Sequence, residues 1–211
     1  MQGIQNRTAR IRGVLIAAAA VVVVAIVAAV LIFSGQDDSA AAPQAGGTLA
    51  SSQQQQGERP DPGRPPGTVA LPTGGTAKLV PEQVGDDGAL VIPQSLGEAA
   101  WWGSGVGAAQ GVTLLSGHVN WKGKTGPFMQ LWQVKQGQTV TVTDRAGAHW
   151  GYRIDEVRTV HKSALATESA KLFSPEGPHR LVLVTCGGDY VGGTEGYDDN
   201  RVVTASLVSH P

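Results

Sequence analysis

One cysteine, Cys186, stands in 211 residues, so no disulfide forms within the chain and a small fold stapled by disulfides is excluded. Charge is sparse, at 16% of residues with a net charge of −1. Nucleic-acid binding leans on clustered lysine and arginine, and without such a cluster beyond the N-terminus nucleic acid is excluded as a partner. There is no internal repeat and no heptad pattern, which excludes solenoids and coiled coils. The acidic pairs Asp86-Asp87 and Asp198-Asp199 read as turns without ligand spacing, so no metal and no cofactor are expected. Aromatics are few, 5% of residues, but two of them are adjacent, Trp101 and Trp102.

Glycine and proline are abundant, 29 and 12 residues, enough for long loops or a linker beside one moderate domain. Residues 1–13 form a short basic tail with Arg7, Arg10 and Arg12. Val14 to Phe33 gives 20 consecutive apolar residues, which as a helix span roughly 30 Å, the thickness of a bilayer's hydrocarbon core. This predicts a transmembrane helix over 14–33. The arginines before it put the N-terminus in the cytoplasm and the rest outside, as a single-pass protein of the cell membrane. Ala40-Ala-Ala42 has the form of a signal-peptide cleavage site, but the apolar run exceeds the usual signal core of about 7–15 residues. Residues 34–76, rich in Gly, Pro, Ala and Gln, bury too little surface to offset their ordering entropy and read as an extracellular linker. Its mean reach as a coil is on the order of 35 Å.

From Ala77 the texture changes to short strands, so 77–211 is expected to be the folded domain. Ala77 to Val80, Ala89 to Ile92 and Val112 to His118 are brief apolar runs. Ser95 to Trp102 reads as one or two helical turns with Ser95 as cap, and Gly126 to Trp132 as a short helix. Gln138 to Asp144 alternates Val140 and Val142 with three threonines, the mark of a half-buried strand. Trp150 to Val160, Arg180 to Cys186 and Arg201 to Val208 add strands, and Ser163 to Phe173 a helix. Seven or eight short strands with little helix predict an all-β barrel or sandwich.

Cys186 closes the uncharged run Leu181 to Val184, which reads as a strand buried on both faces and stopped by Gly187-Gly188. A free cysteine is often only a small buried hydrophobe. In an exported protein, however, a lone thiol has no disulfide partner within the chain and is liable to oxidation, which points to use. The thiolate needs a nearby cation. His118 ends one strand and Arg201 opens another, so neighbouring strands could bring all three to one rim.

These residues resemble a known family. Leu183-Val-Thr-Cys186 is similar to the Thr-Leu-x-Thr-Cys signature of sortases, the cysteine transpeptidases of Gram-positive cell surfaces, with Val182 in place of the first Thr. Ser116-Gly-His118 is similar to the family's Thr/Ala-Gly-His, and Arg201 follows the cysteine by 15 positions. Gly117-His-Val, Thr185-Cys-Gly-Gly and Gly196-Tyr-Asp-Asp-Asn200 most resemble the actinobacterial class F branch, which often has Asp where Asn120 stands; what orients the imidazole is thereby left open. The resemblance covers roughly Ala77 to Val208 and implies an eight-stranded β-barrel. It implies Cys186 as nucleophile, His118 as acid and base, and Arg201 as binder of the substrate and of the oxyanion. Thr185 and Asn120 follow as weaker candidates near substrate, and Trp101 and Trp102 read as core first and cleft second. The implied reaction is cleavage of a Leu-Pro-x-Thr-Gly-like sorting signal on surface proteins, with transfer to an amine of a peptidoglycan precursor or surface protein. A cell-envelope cysteine hydrolase and a non-catalytic surface-binding barrel are the alternatives; papain-like peptidases place cysteine before histidine, the reverse of the order here. Leu71-Pro-Thr-Gly-Gly75 lacks the spacer residue of a sorting signal and reads as coincidence.

Overall fold

The computed structural model describes residues 22–23, 59–85, 89–192 and 196–211. In chain order the elements are β1 (Val22–Val23), β2 (Pro66–Ala70), β3 (Thr76–Pro81), β4 (Ala89–Leu90), β5 (Glu98–Gly103), β6 (Val112–Ser116), β7 (Asn120–Trp121) and β8 (Lys124–Thr125). A 3-10 helix (Pro127–Trp132), β9 (Thr139–Asp144), β10 (His149–His161), α1 (Lys162–Leu172), β11 (Arg180–Gly192) and β12 (Gly196–Ser209) complete the chain. Eight strands close into a barrel in the order β10-β12-β11-β6-β5-β3-β2-β9. The β6–β11 and β3–β5 pairs are parallel and the other barrel pairs antiparallel.

Two apolar clusters follow from strand alternation. Inside the barrel pack Val69, Leu79, Leu115, Val142, Ile154, Leu183 and Val203, with Phe128 and Leu131 of the 3-10 helix. On the outer face Leu114, Val182, Val184 and Val202 pack against Leu165, Leu172 and Phe173 of the α1 segment and against Leu90. β11 is therefore buried on both sides from Leu181 to Cys186, as its unbroken apolar run predicts. α1 is capped at its start by the His161 ring, whose Nδ1 accepts from the Ser163 amide at 3.4 Å. At its other end the Arg180 guanidinium donates to the Leu172 and Ser174 carbonyls at 3.2 and 3.1 Å. Arg180 thus satisfies orphan carbonyls of the helix C-terminus, where a cation is favourable.

The structure corrects three expectations. The barrel begins inside the expected linker: β2 pairs with β3 and β9, because Val69 and Leu71 have apolar neighbours to bury against. Leu71 to Gly75 is the turn that joins β2 to β3, closed by the Leu71 amide on the Gly75 carbonyl at 2.7 Å. The helical turns expected over Ser95 to Trp102 are replaced from Glu98 onward by β5, since Ala99 and Ala100 fill the two sides of the sheet and gain more from packing than a helix cap offers. Gly187-Gly188 does not end β11. Gly188, at φ +77°, absorbs an irregularity between Gly187 and Tyr190, and the strand continues; only glycine takes that conformation without strain.

Among the described residues no helix is long and apolar enough to cross a membrane. Of the expected span, Val22–Val23 pairs with β4 and the remainder lies outside the described residues, as do Asp86 and Asp87.

Candidate active site

Cys186 lies on the outer face of β11, 3% exposed, among Val184, Val202 and Val119. Its neighbour on one side is set by the parallel ladder with β6. The last pair of that ladder is Ser116 with Val184, and His118 and Cys186 each stand two residues beyond it. Three hydrogen bonds hold this junction. The Thr185 hydroxyl donates to the Gly117 carbonyl at 2.8 Å, the Ser116 hydroxyl to the Val184 carbonyl at 3.2 Å, and the Gly117 amide to that same carbonyl at 3.3 Å. Thr185 is fully buried, in the strand position that points opposite to the thiol.

The His118 imidazole is held from two sides. Its Nε2 lies 3.0 Å from the Pro93 carbonyl oxygen. A carbonyl only accepts, so Nε2 carries the proton and the lone pair is on Nδ1. The ring stacks on Trp121, with centroids 4.6 Å apart and planes 22° from parallel. Asn120 donates instead to the Tyr197 hydroxyl, so the imidazole is oriented by Pro93 and Trp121. Burial lowers the His118 pKa, opposed by the bond to Pro93. Burial raises that of Cys186, opposed by the positive charge of Lys162. Both shifts favour a neutral thiol beside a neutral imidazole, and the thiolate form requires a proton to pass from sulfur to the ring.

Arg201 lies on β12. In the β11–β12 ladder it pairs with Thr185, while Cys186 pairs with Asn200; opposed residues share a face and successive ones alternate. Arg201 therefore leaves the strand on the face of Thr185. Its Nε donates to the Leu131 carbonyl at 3.3 Å and its Nη1 to the Thr159 hydroxyl on β10 at 2.9 Å. Its guanidinium lies 5.3 Å from the centre of the Trp132 ring. Trp132 in turn donates from Nε1 to the Cys186 carbonyl at 3.1 Å and lies against Gly187, where a Cβ would strike the indole. Arg201 thus stands one residue of register from the partner of Cys186, with its guanidinium over Trp132, which packs against the cluster that holds the thiol. Trp101 is packed against the inner cluster and Trp102 against the outer one.

Three residues that matter here were not singled out by motif: Lys162, Pro93 and Trp132. Asn200, quoted only as the last residue of Gly196-Tyr-Asp-Asp-Asn200, is fully buried, and neither its Nδ2 nor its Oδ1 has a hydrogen-bond partner. Each unpaired buried polar group costs about 1–3 kcal/mol. Among the described residues no group of three or more His, Cys, Asp or Glu side chains is placed to hold a metal ion. A thiol and an imidazole that keeps one nitrogen free are the groups that nucleophilic acyl transfer uses.

A buried thiol and a buried imidazole, each two residues beyond the last β6–β11 pair of a closed eight-stranded barrel, make a candidate cysteine-dependent acyl-transfer site. The model of the sortase domain family matches residues 77–208, and the chain belongs to the sortase family, the cysteine transpeptidases. Among solved structures, sortase C2 of pilus island 1 from group B Streptococcus is similar in fold, with a TM-score of 0.51 at 16% identity, covering 68% of this chain and 73% of that one. Sortase A of Listeria monocytogenes matches with a TM-score of 0.50 at 18% identity, over 68% and 87% of the two chains. A lid mutant of sortase A from Corynebacterium diphtheriae gives 0.51 at 19% identity, over 69% and 72%. At these identities the likeness concerns the fold. A search of curated proteins finds no match.

Proposed function

We propose that this sortase cleaves a Leu-Pro-x-Thr-Gly-like sorting signal between Thr and Gly and transfers the acyl part to an amine of a peptidoglycan precursor or a surface protein. The observation that supports the reading is the β6–β11 register, whose last pair, Ser116 with Val184, stands two residues before both His118 and the chain's one thiol. Nδ1 of His118 takes the Cys186 proton, and the sulfur adds to the threonyl carbonyl carbon. As the tetrahedral adduct collapses, the imidazolium gives its proton to the departing glycyl nitrogen and a thioester remains on Cys186. The acceptor amine attacks the thioester, loses a proton to the imidazole, and frees the thiol. The burial of both groups, 3% and 6% exposed, favours an amine over water by limiting solvent at the thioester. The motifs Gly117-His-Val and Gly196-Tyr-Asp-Asp-Asn200 support an actinobacterial class F enzyme. The apolar run Val14 to Phe33 supports a single-pass anchor in the cell membrane, with the N-terminus cytoplasmic and the barrel outside.

The test is incubation of the full chain in detergent with a Leu-Pro-x-Thr-Gly peptide library and a glycine amide. The expected product is the peptide joined to the amide, lost in Cys186→Ala. Turnover retained in that variant ends the reading, and release to water alone would make the protein a hydrolase.

A further inference from the structure

We propose that the β7–β8 hairpin is a positioning device for the base: Tyr197, through Asn120, holds the Trp121 indole against the His118 imidazole and so fixes the plane in which Nδ1 meets the thiol proton. The inference rests on the transfer reaction proposed above and assigns three positioning residues to it. Nε2–H of His118 is tied to the Pro93 carbonyl at 3.0 Å, but a single hydrogen bond leaves the ring free to tilt about it. Trp121 supplies the missing constraint, stacked with ring centroids 4.6 Å apart and planes 22° from parallel, within the range of favourable aromatic pairs. Its own Nε1 is buried and has no hydrogen-bond partner, a setting that protein interiors ordinarily avoid. The indole is therefore not held by its N–H, and its place over the imidazole is set from outside.

The hairpin sets it. β7 and β8 have two residues each and pair with one another in a sheet of their own; so short a ribbon is not stable alone. Its turn, Lys122-Gly123, has φ of 49° and 78°, the two-residue form that fixes register, so Asn120 pairs with Thr125 and Trp121 with Lys124. At its base the Gly126 amide closes on the Val119 carbonyl at 2.9 Å. At its side Asn120 donates to the Tyr197 hydroxyl, which ties the ribbon to β12. Tyr197 is itself anchored: it pairs with Tyr190 across β11 and β12, lies edge-on to that ring at 5.3 Å, and packs against the cluster that holds Cys186 and Val119. A contact rooted in the wall that carries the thiol thus ends on the face of the imidazole. The titratable side chains on the elements that meet here are Cys186 on β11, Tyr197, Asp198 and Asp199 on β12, and Lys122 and Lys124 on the hairpin; Lys122 Nζ stands 5.8 Å from the centre of the Trp121 ring. The low pKa of His118 comes from burial, opposed by the bond to Pro93. In the reaction the thiol proton passes to Nδ1 and later from Nδ1 to the departing nitrogen; Trp121, Asn120 and Tyr197 exchange no proton.

The experiment compares the full chain in detergent with Trp121→Leu, Trp121→Phe, Asn120→Ala, Tyr197→Phe and the Asn120→Ala/Tyr197→Phe double variant in cleavage of a Leu-Pro-x-Thr-Gly peptide, with Cys186→Ala as the inactive control. Trp121→Leu is expected to lose about 10²-fold in kcat, the scale for a reacting group misplaced by about 1 Å, while KM stays within a few-fold. Trp121→Phe keeps an aromatic face and should recover most of that loss. Asn120→Ala and Tyr197→Phe remove the same bond, so each should lose about tenfold and the double variant no more than either. The His118 ring is titrated by NMR in the Cys186→Ala background. Trp121→Leu should move that titration to higher pH, because a smaller cover admits water and burial is what holds the pKa down. Trp121→Leu at the wild-type rate, with Cys186→Ala inactive, overturns the positioning role and leaves the transfer reading standing. Losses that multiply in the double variant, or a fall in Tm with the His118 titration unmoved, overturn it as well. Equal turnover in wild type and Cys186→Ala overturns both readings together.

Discussion

Replacing Asn200 by leucine tests the cost of holding an unpaired amide beside the thiol. Leucine has the same branching at Cγ as asparagine, and Asn200 is fully buried with Val160 and Cys186 as its cross-strand partners, so shape is preserved while the polar atoms go. Two buried polar atoms lack partners, each costing about 1–3 kcal/mol. Some of that is offset by fitting the leucine methyls, and a net gain of about 2 kcal/mol is expected. For a domain of about 150 residues, about 2–4 °C of Tm accompanies each kcal/mol, so Tm should rise by about 4–8 °C. Circular-dichroism melts and urea titrations of the full chain read this directly, with the urea midpoint rising at unchanged m. A fall in Tm of several degrees would show that the amide is hydrogen-bonded in the native protein and would refute the reasoning.

Gly187→Ala drives a Cβ into the Trp132 indole, so it should cost about 1–3 kcal/mol and shift the tryptophan emission; unchanged Tm and spectrum would contradict the contact. Lys162→Gln removes the positive charge that opposes the burial-raised pKa of Cys186, so the pH profile of iodoacetamide labelling should move upward. Arg201→Gln should leave that profile in place. A profile that moves for Arg201 and not for Lys162 would show that the wrong cation has been assigned.

The strands that carry the site were legible because their side chains alternate or run apolar without interruption: Val140 and Val142 inward on β9, and Leu181 to Cys186 buried on both faces of β11. β2 was hidden because its five residues include Pro66 and Gly67, and only its pairing with β3 and β9 supplies what composition withholds. β5 was read as helical from a local cap signal, which tertiary packing of Ala99 and Ala100 overrides. Of the site, His118 and Cys186 were legible as two residues at the ends of apolar runs that pair as β6 and β11. The register of Arg201 was not. A spacing of 15 positions says nothing about which face a residue occupies until the ladder is known, and a slip of one residue reverses it. The irregularity around Gly188 and the length of the β11–β12 hairpin set Asn200, not Arg201, opposite the thiol. No local pattern encodes that parity.

The most direct measurement is the intact mass of the enzyme, quenched in acid seconds after mixing with a cleavable Leu-Pro-x-Thr-Gly peptide. The account predicts an acyl adduct that maps to Cys186, is removed by hydroxylamine, and disappears when glycine amide is present as acceptor. Turnover of the peptide with no adduct at any time, or an adduct on another residue, would contradict it.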